Sequence, residues 1–201
     1  MLKRILLLSL IALQYFTVIA QENKLSNNYI SSIDSSHIDV KYLNAYWSVD
    51  PAINYINGEV KYQFEAIENT NSIQFSLSKK LKIDAVIYHN DSIRFSRNYF
   101  NQLIIFLPNE ITKGQKDSII IHYQGAPSKS GFGAFTQSNH GYGPIIWTLS
   151  EPFGSLEWWP SKLNLTDKID SIDISFKSIK SQSSIKITHE NKSFHACSRA
   201  K

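Results

Sequence analysis

The residues that could carry chemistry in this chain are few, and they are spaced too far apart to form a familiar catalytic set. The six histidines share no metal-ligand spacing, and the one His-Glu pair is His189-Glu190. Ser193 stands where a second imidazole would complete a helical H-E-x-x-H zinc motif, and His195 lies too far along the chain. Cys197 is the only cysteine, which excludes an internal disulfide and a four-thiolate zinc site. No G-x-S-x-G nucleophile elbow is present. The sequence predicts no catalytic residues and no metal site.

One stretch, residues 130–160, nevertheless concentrates unusual residues around a single carboxylate. It contains five of the eight glycines, three of the four tryptophans, and Glu151 immediately before Pro152. The apolar residues from Pro144 to Leu149 predict a buried strand that leads to this carboxylate. Glu151 could contact a ligand at the end of that strand, and a surface or structural acid is the alternative interpretation.

The elements that must position this stretch are short strands. Apolar and polar residues alternate in one run after another between His37 and Tyr123, with no helical period. Asn57-Gly58 is a pair typical of tight turns. The apolar positions predicted to share the core face include Ile38, Val40, Tyr42, Val60, Tyr62, Phe64, Leu81, Ile83, Ala85 and Ile87. The pattern predicts an all-β fold, an antiparallel β-sandwich or a pair of saddle-like curved sheets.

The N-terminus has the features of a signal peptide. Lys3 and Arg4 precede an apolar segment that ends at the small-residue site Val18-Ile19-Ala20. We therefore expect residues 1–20 to be a signal peptide and residues 21–36, rich in Asn and Ser, to be a flexible leader. The protein is predicted to be exported to the periplasm or the outside of the cell, with no membrane span after cleavage. The net charge is +4 and the pI near 9.0, but Lys and Arg are scattered, so no nucleic-acid partner is expected.

Several short motifs occur in the order found in a known family. Thr148, Glu151 and Pro152 match a T-x-x-E-P element, Trp159-Pro160 with Ser161 matches an aromatic-Pro-Cys element, and Asp167-Lys168 approximates an acidic turn. In this order the motifs resemble the N-terminal β-domain of exported bacterial zinc metallopeptidases of the aminopeptidase N type, the gluzincin aminopeptidases. The resemblance extends from about His37 to Phe176.

The resemblance implies a role for Glu151 and a missing metal site. In this family the Glu of T-x-x-E-P holds the α-ammonium group of the substrate, so the implied partner is a peptide N-terminus bound when the domain is joined to a catalytic domain. Leu149 replaces the family's Gln two residues earlier, and Ser161 replaces its Cys. Full-length members use Zn²⁺, but this chain lacks H-E-x-x-H and, with Met1 as its only methionine, also lacks G-x-M-E-N. We therefore expect no cofactor in this chain and no activity by itself.

The last residues differ in composition from the rest. Residues 37–176 are predicted to form the aminopeptidase N-like β-domain, and residues 177–201 form an atypical tail rich in Ser and Lys. We expect the tail to result from a truncated or frameshifted reading frame, the alternative being a genuine short protein. The alternative function is a stand-alone exported β-sandwich that binds a peptide or protein partner through the 130–160 stretch.

Overall fold

Strands account for nearly all of the regular structure. The computed structural model describes residues 37–128, 133–141, 143–150, 153–164, 167–178 and 196–198, and these contain twelve strands and one short 3-10 helix, Gly154–Glu157. The strands are β1 (Ile38–Asp50), β2 (Ile53–Ala66), β3 (Thr70–Ser76), β4 (Leu81–Tyr88), β5 (Asp91–Ser92), β6 (Phe95–Arg97), β7 (Gln102–Ile111), β8 (Lys116–Gly125), β9 (Thr136–His140), β10 (Gly143–Trp147), β11 (Ser171–Ser178) and β12 (Ala196–Ser198). The prediction of an all-β fold is confirmed.

The strands form two sheets and a separate ribbon. The larger sheet has the order β12-β11-β1-β2-β8-β4-β5, the smaller one β3-β7-β6, and β9 pairs with β10 as a two-stranded ribbon. Pairing is antiparallel except at one edge of the larger sheet, where β11 joins β1, and β12 joins β11, in parallel. Thus β12 brings residues of the predicted tail region into this sheet. Across the described ranges there is no helix long and apolar enough to cross a membrane.

The core lies between the two sheets. Buried side chains of β2 and β8 in the larger sheet belong to the same hydrophobic cluster as those of β3 and β7 in the smaller sheet. Tyr62 of β2 and Phe75 of β3 meet across this interface with ring centroids 4.4 Å apart. The arrangement is a β-sandwich, in which the long strands of the two sheets turn alternate side chains inward.

Two β-bulges change which residues face this core. The pairing register shifts between Val40 and Tyr42 in β1 and between Ile83 and Ala85 in β4. Each bulge adds one residue to its strand, so the alternation reverses beyond it. The prediction that Tyr42, Ala85 and Ile87 face the core was therefore wrong. The residues buried beyond the two bulges are Leu43, Ala45, Trp47, Val86 and Tyr88.

Asn57-Gly58 is not a turn, contrary to the expectation from its composition. Both residues lie inside β2, and the turn between β1 and β2 falls at Pro51-Ala52, where the Asp50 Oδ1 accepts a hydrogen bond from the Ala52 N–H at 2.8 Å. A Cβ on Gly58 would lie 2.4 Å from the Tyr123 Cζ. The glycine is explained by this close approach of a buried aromatic ring, and not by a reversal of the chain.

Candidate functional site

Glu151 and Pro152 lie outside the described residues, but the residues on both sides of them are held firmly. The Ser150 carbonyl accepts a hydrogen bond from the Gly154 N–H at 2.9 Å, and the Ser150 hydroxyl accepts one from the Trp158 Nε1 at 3.0 Å. A Cβ on Gly154 would lie 3.0 Å from the Ala134 Cβ. The described residues that flank Glu151 are therefore fixed to each other and to a buried tryptophan.

That tryptophan belongs to an aromatic cluster rooted in the larger sheet. The Trp158 ring packs on Trp47 of β1 with centroids 4.7 Å apart, and Phe135 and Phe176 contact the same pair. The Trp47 Nε1 donates to the Tyr123 hydroxyl on β8 at 2.8 Å. Burial raises the pKa of Tyr123 far above its ordinary value, which keeps this hydroxyl protonated. The cluster thus connects the Ser150 side chain to the centre of the sandwich.

The Trp-Pro-Ser element is joined to the smaller sheet as well. Ser161 forms an isolated bridge with Ser76 at the end of β3, with N–H to carbonyl distances of 2.8 and 2.9 Å in the two directions. The Ser155 hydroxyl donates to the Ser161 hydroxyl at 2.8 Å, and the Tyr62 hydroxyl donates to the Pro160 carbonyl. Ser161 is therefore a buried hydrogen-bonded residue between the two sheets, at the position where the resembling family has a cysteine.

The strand that leads to Glu151 is exposed, so the prediction of a buried strand from Pro144 to Leu149 was wrong. Within the described ranges β10 pairs with β9 alone, and Ile146 is its partly buried residue packed against the core. Four large side chains are more than a third exposed: Ile145 (37%), Trp147 (43%), Leu149 (46%) and Phe153 (38%). We call these four residues the ribbon surface.

Gly133 allows the ribbon to fold against the loop before it. Its φ is +91°, and a Cβ there would lie 2.4 Å from the Trp147 ring. The Gly133 carbonyl accepts a hydrogen bond from the Leu149 N–H at 3.0 Å. A side chain at this position would strain the backbone and displace the tryptophan, so this glycine of the 130–160 stretch fixes the place of Trp147.

Elsewhere the structure forms a cluster of titratable groups that the sequence analysis did not find. The Asp117 carboxylate accepts hydrogen bonds from the Tyr88 hydroxyl at 2.5 Å and the Ser118 N–H at 2.7 Å, and it pairs with the His89 Nε2 at 2.9 Å. Burial raises the pKa of Asp117, but these bonds outweigh burial and the net shift is downward. Burial and the bond to Asp117 raise the pKa of Tyr88. Tyr88 and His89 line one side of a cavity of about 330 Å³.

Other histidines lie apart from this cluster. His37 pairs with Glu68 next to β1, and the His122 Nδ1 on β8 lies 3.7 Å from the Glu59 Oε2. No three His, Cys, Asp or Glu side chains of the described ranges come close enough together to hold a metal ion. The His189-Glu190 pair lies outside those ranges.

Comparison with known proteins gives matches among solved structures alone. No family model and no curated protein matches the chain. A two-domain M1 zinc metallopeptidase bound to L-arginine superposes with a TM-score of 0.57 at 20% identity. The M1 zinc metallopeptidase from Deinococcus radiodurans matches with the same TM-score at 21% identity, and its variant bound to a Tyr-Ser-Ala substrate at 20%. The chain has the fold of part of an M1 zinc metallopeptidase.

The alignments cover most of this chain but only a part of each metallopeptidase. Each of these alignments covers 71% of this chain and 32% of the metallopeptidase. The chain therefore spans about a third of the length of the M1 structures that it matches. At this level of identity the likeness establishes the fold, and the resemblance to an aminopeptidase β-domain noted from the motifs is confirmed at that level.

Proposed function

We propose that this chain is the substrate-anchoring β-domain of an exported zinc aminopeptidase, in which Glu151 accepts the α-ammonium group of a peptide. The observation that carries the proposal is the T-x-x-E-P motif ending at Pro152 in a chain with the M1 fold. Ser150, the residue before the proposed anchor, is held through both its carbonyl and its hydroxyl. Such support is what a binding carboxylate needs, because a mobile anion would not fix the position of the peptide.

The chemistry of the anchor is a charge-assisted hydrogen bond. A peptide ammonium group offers three donors and a positive charge, and a carboxylate offers two acceptor oxygens. An acetylated N-terminus carries neither the charge nor the three donors. Leu149, exposed two residues before Glu151, supplies no polar group, so the proposed anchor depends on a single carboxylate.

Titration with paired peptides tests the anchor. The purified chain is titrated with Leu-Gly-Gly and with its N-acetyl form, and binding is followed by NMR chemical shifts. We expect the free peptide to bind about tenfold or more tightly than the acetylated one, the range of one hydrogen bond to a charged group. Glu151→Gln should remove this preference, whereas Glu157→Gln, a change in the nearby 3-10 helix, should keep it. Equal binding of both peptides, or an unchanged preference in Glu151→Gln, would show that the anchor is wrong.

The second candidate is a stand-alone exported β-sandwich that binds a peptide or protein through the ribbon surface. The four exposed apolar side chains of that surface favour it. The same titration distinguishes the two functions, since apolar contacts do not require a charged N-terminus. A ribbon-surface binder would take longer apolar peptides in free and acetylated form alike, and Trp147→Ser would weaken both.

In the first proposal the zinc ion and the reaction come from a catalytic part outside the described residues. A truncated reading frame remains a prediction, and an H-E-x-x-H frame beyond the Lys201 codon in the gene would support it.

Export also remains a prediction. N-terminal sequencing of protein recovered from the periplasm or the medium should give Gln21 as the first residue, and retention of Met1 would contradict cleavage.

A further inference from the structure

Two neighbouring turns present an exposed aromatic pair and a lysine pair on one rigid support. The turns comprise residues 77–81 and 97–102, and Tyr99 and Phe100 are 85% and 58% exposed. Lys79 and Lys80 are exposed in the other turn. The Lys79 ammonium lies 4.4 Å from the centre of the Tyr99 ring, and the Lys80 ammonium donates one of its three hydrogens to the Ser128 hydroxyl at 3.1 Å. We call these four residues the aromatic-lysine tip.

The tip is held by hydrogen bonds between the turns. Arg97 donates through Nη1 to the Leu81 carbonyl at 2.6 Å and through Nη2 to the Leu77 carbonyl. The Asn101 carbonyl accepts from the Leu77 N–H at 2.8 Å, and its side-chain oxygen accepts from the Lys79 N–H at 3.1 Å. Because these hydrogen bonds fix the main chain of both turns, the fold itself holds the two rings at the surface.

The aromatic turn has its own internal support. The Asn98 side-chain oxygen accepts from the Phe100 N–H at 2.9 Å and from the Gln102 N–H at 3.2 Å. Asn101 takes a left-handed conformation with φ +61°, which asparagine tolerates better than most residues. Folding normally buries large aromatic side chains, but this ordered turn leaves two of them in water. Exposed apolar surfaces of this kind mark interaction sites.

The charges around the rings indicate the kind of partner. The two turns contain the cations Lys79, Lys80 and Arg97 and no acidic residue. Acidic residues follow outside the turns: Asp84 lies three residues after Leu81, and Glu157 follows Leu156, whose carbonyl accepts from the Ser78 N–H. We propose that the aromatic-lysine tip binds the surface of an anionic lipid membrane, with Tyr99 and Phe100 at headgroup level and both lysines on lipid phosphates.

The ring geometry favours a lipid surface over a nucleic acid. Tyr99 and Phe100 lie edge to face, with planes at 88° and centroids 6.2 Å apart, whereas bound bases stack on rings that present open, accessible faces. One face of Tyr99 is already covered by the Lys79 ammonium. At a membrane interface, by contrast, an aromatic ring requires no fixed orientation and a neighbouring lysine adds attraction to anionic headgroups.

Vesicle sedimentation tests the proposal. The full chain is mixed with phosphatidylcholine vesicles, either pure or with about a third of the lipid replaced by phosphatidylglycerol. We expect binding to the anionic vesicles that falls as salt rises from ~0.05 to ~0.5 M. The double variant Tyr99→Ser/Phe100→Ser should lower the partition coefficient by about tenfold. Its matched control, Ile53→Ser/Tyr55→Ser, removes exposed apolar side chains elsewhere and should change it less than twofold. Residues 1–20 are common to all variants, so the difference reports the tip.

The charge contribution is separated with a second matched pair. Lys79→Gln/Lys80→Gln should weaken binding to anionic vesicles by about fivefold for each lysine removed. The control Lys82→Gln/Lys116→Gln removes two exposed lysines that lie beside Asp84 and Glu65, and it should have a smaller effect. A Phe100→Trp variant should gain fluorescence quenching from brominated lipids that Tyr55→Trp lacks.

Three results would overturn the proposal. The first is equal loss in the tip and control variants, and the second is equal binding to neutral and anionic vesicles. The third is that the tip variants change self-association or oligonucleotide binding without changing vesicle binding, which would assign the tip to a protein or nucleic-acid partner. Thermal unfolding of each variant confirms that it is folded before the vesicle measurement.

Discussion

Gly58 leaves the space that the Tyr123 ring of the aromatic cluster occupies. It lies opposite Tyr123 in the pairing of β2 with β8, and that ring occupies the space in which a side chain would stand. Tyr123 cannot turn away at low cost, since it is 1% exposed and its hydroxyl accepts from the Trp47 Nε1. The absence of a side chain at Gly58 therefore permits the contact that supports Trp47, and through Trp47 the Trp158 bond to Ser150.

Gly58→Ala should destabilise the protein. Its Cβ would lie 2.4 Å from the Tyr123 Cζ and 2.6 Å from the hydroxyl oxygen, and overpacking of this kind costs about 1–3 kcal/mol. Urea denaturation followed by tryptophan fluorescence measures the free energy of unfolding. Gly141→Ala is the control, because a Cβ there meets nothing within 4 Å. Equal stability of the two variants would contradict the proposed close contact.

Asp117 should make stability depend on pH in the acidic range. Its pKa in the folded protein lies below that of the unfolded chain, about 3.9, because of the bonds from Tyr88, Ser118 and His89 that outweigh burial. A lowered carboxyl pKa adds stability that is complete above the unfolded pKa and is lost as the pH falls through the folded pKa.

Asp117→Asn should therefore lower the free energy of unfolding by about 1–2 kcal/mol at neutral pH. The difference from the wild type should shrink below about pH 4, where the unfolded carboxyl is protonated. Urea denaturation between neutral pH and the acid limit of folding measures it, with Asp91→Asn, at an exposed carboxylate on β5, as the control. A difference that stays constant with pH would show that the charge of Asp117 is not what stabilises the fold.

At the scale of the strands, the alternation of apolar and polar residues predicted most of the strands. It could not predict which residues of a strand face the core after a bulge. The strand from Ile38 was expected, but the bulge after Val40 depends on how β1 pairs with β2, which is a long-range property. Asn57-Gly58 has turn composition, and only the distant Tyr123 explains it. The apolar residues of β10 predicted burial, yet composition does not tell whether a second layer covers a strand.

The ribbon surface should promote self-association of the isolated chain. Ile145→Ser/Leu149→Ser should reduce association measured by sedimentation velocity and should change the thermal midpoint little, since both side chains are more than a third exposed. The control Ile53→Ser/Ile67→Ser removes two exposed isoleucines from other parts of the surface. A monomeric wild-type protein, or an equal effect of both double variants, would show that the ribbon surface is not the contact.

At the scale of the whole molecule, the sequence predicted a candidate residue only where a motif carries it. Glu151 is predicted from T-x-x-E-P, because the elements of that motif are adjacent in sequence, and its role remains a prediction. The cluster of Tyr88, His89 and Asp117 was not found, because 28 positions separate the histidine from the aspartate and the pairing of β4 with β8 brings them together. The aromatic-lysine tip was not predicted for the same reason: its two turns are separate in sequence, and the hydrogen bonds of Arg97 bring them together.

The isolated chain should bind no stoichiometric zinc and should release no amino acid from aminoacyl-nitroanilides. The described residues contain no group of three metal-binding side chains, and the sequence has Ser193 where H-E-x-x-H needs histidine. A zinc ion bound through fewer than three protein ligands would be removed by a chelator. Metal analysis after zinc loading and gel filtration, together with the nitroanilide assay, measures both outcomes. The M1 zinc metallopeptidase from Deinococcus radiodurans serves as the positive control for zinc binding, and chelator-sensitive hydrolysis by this chain would contradict the proposed substrate-anchoring role.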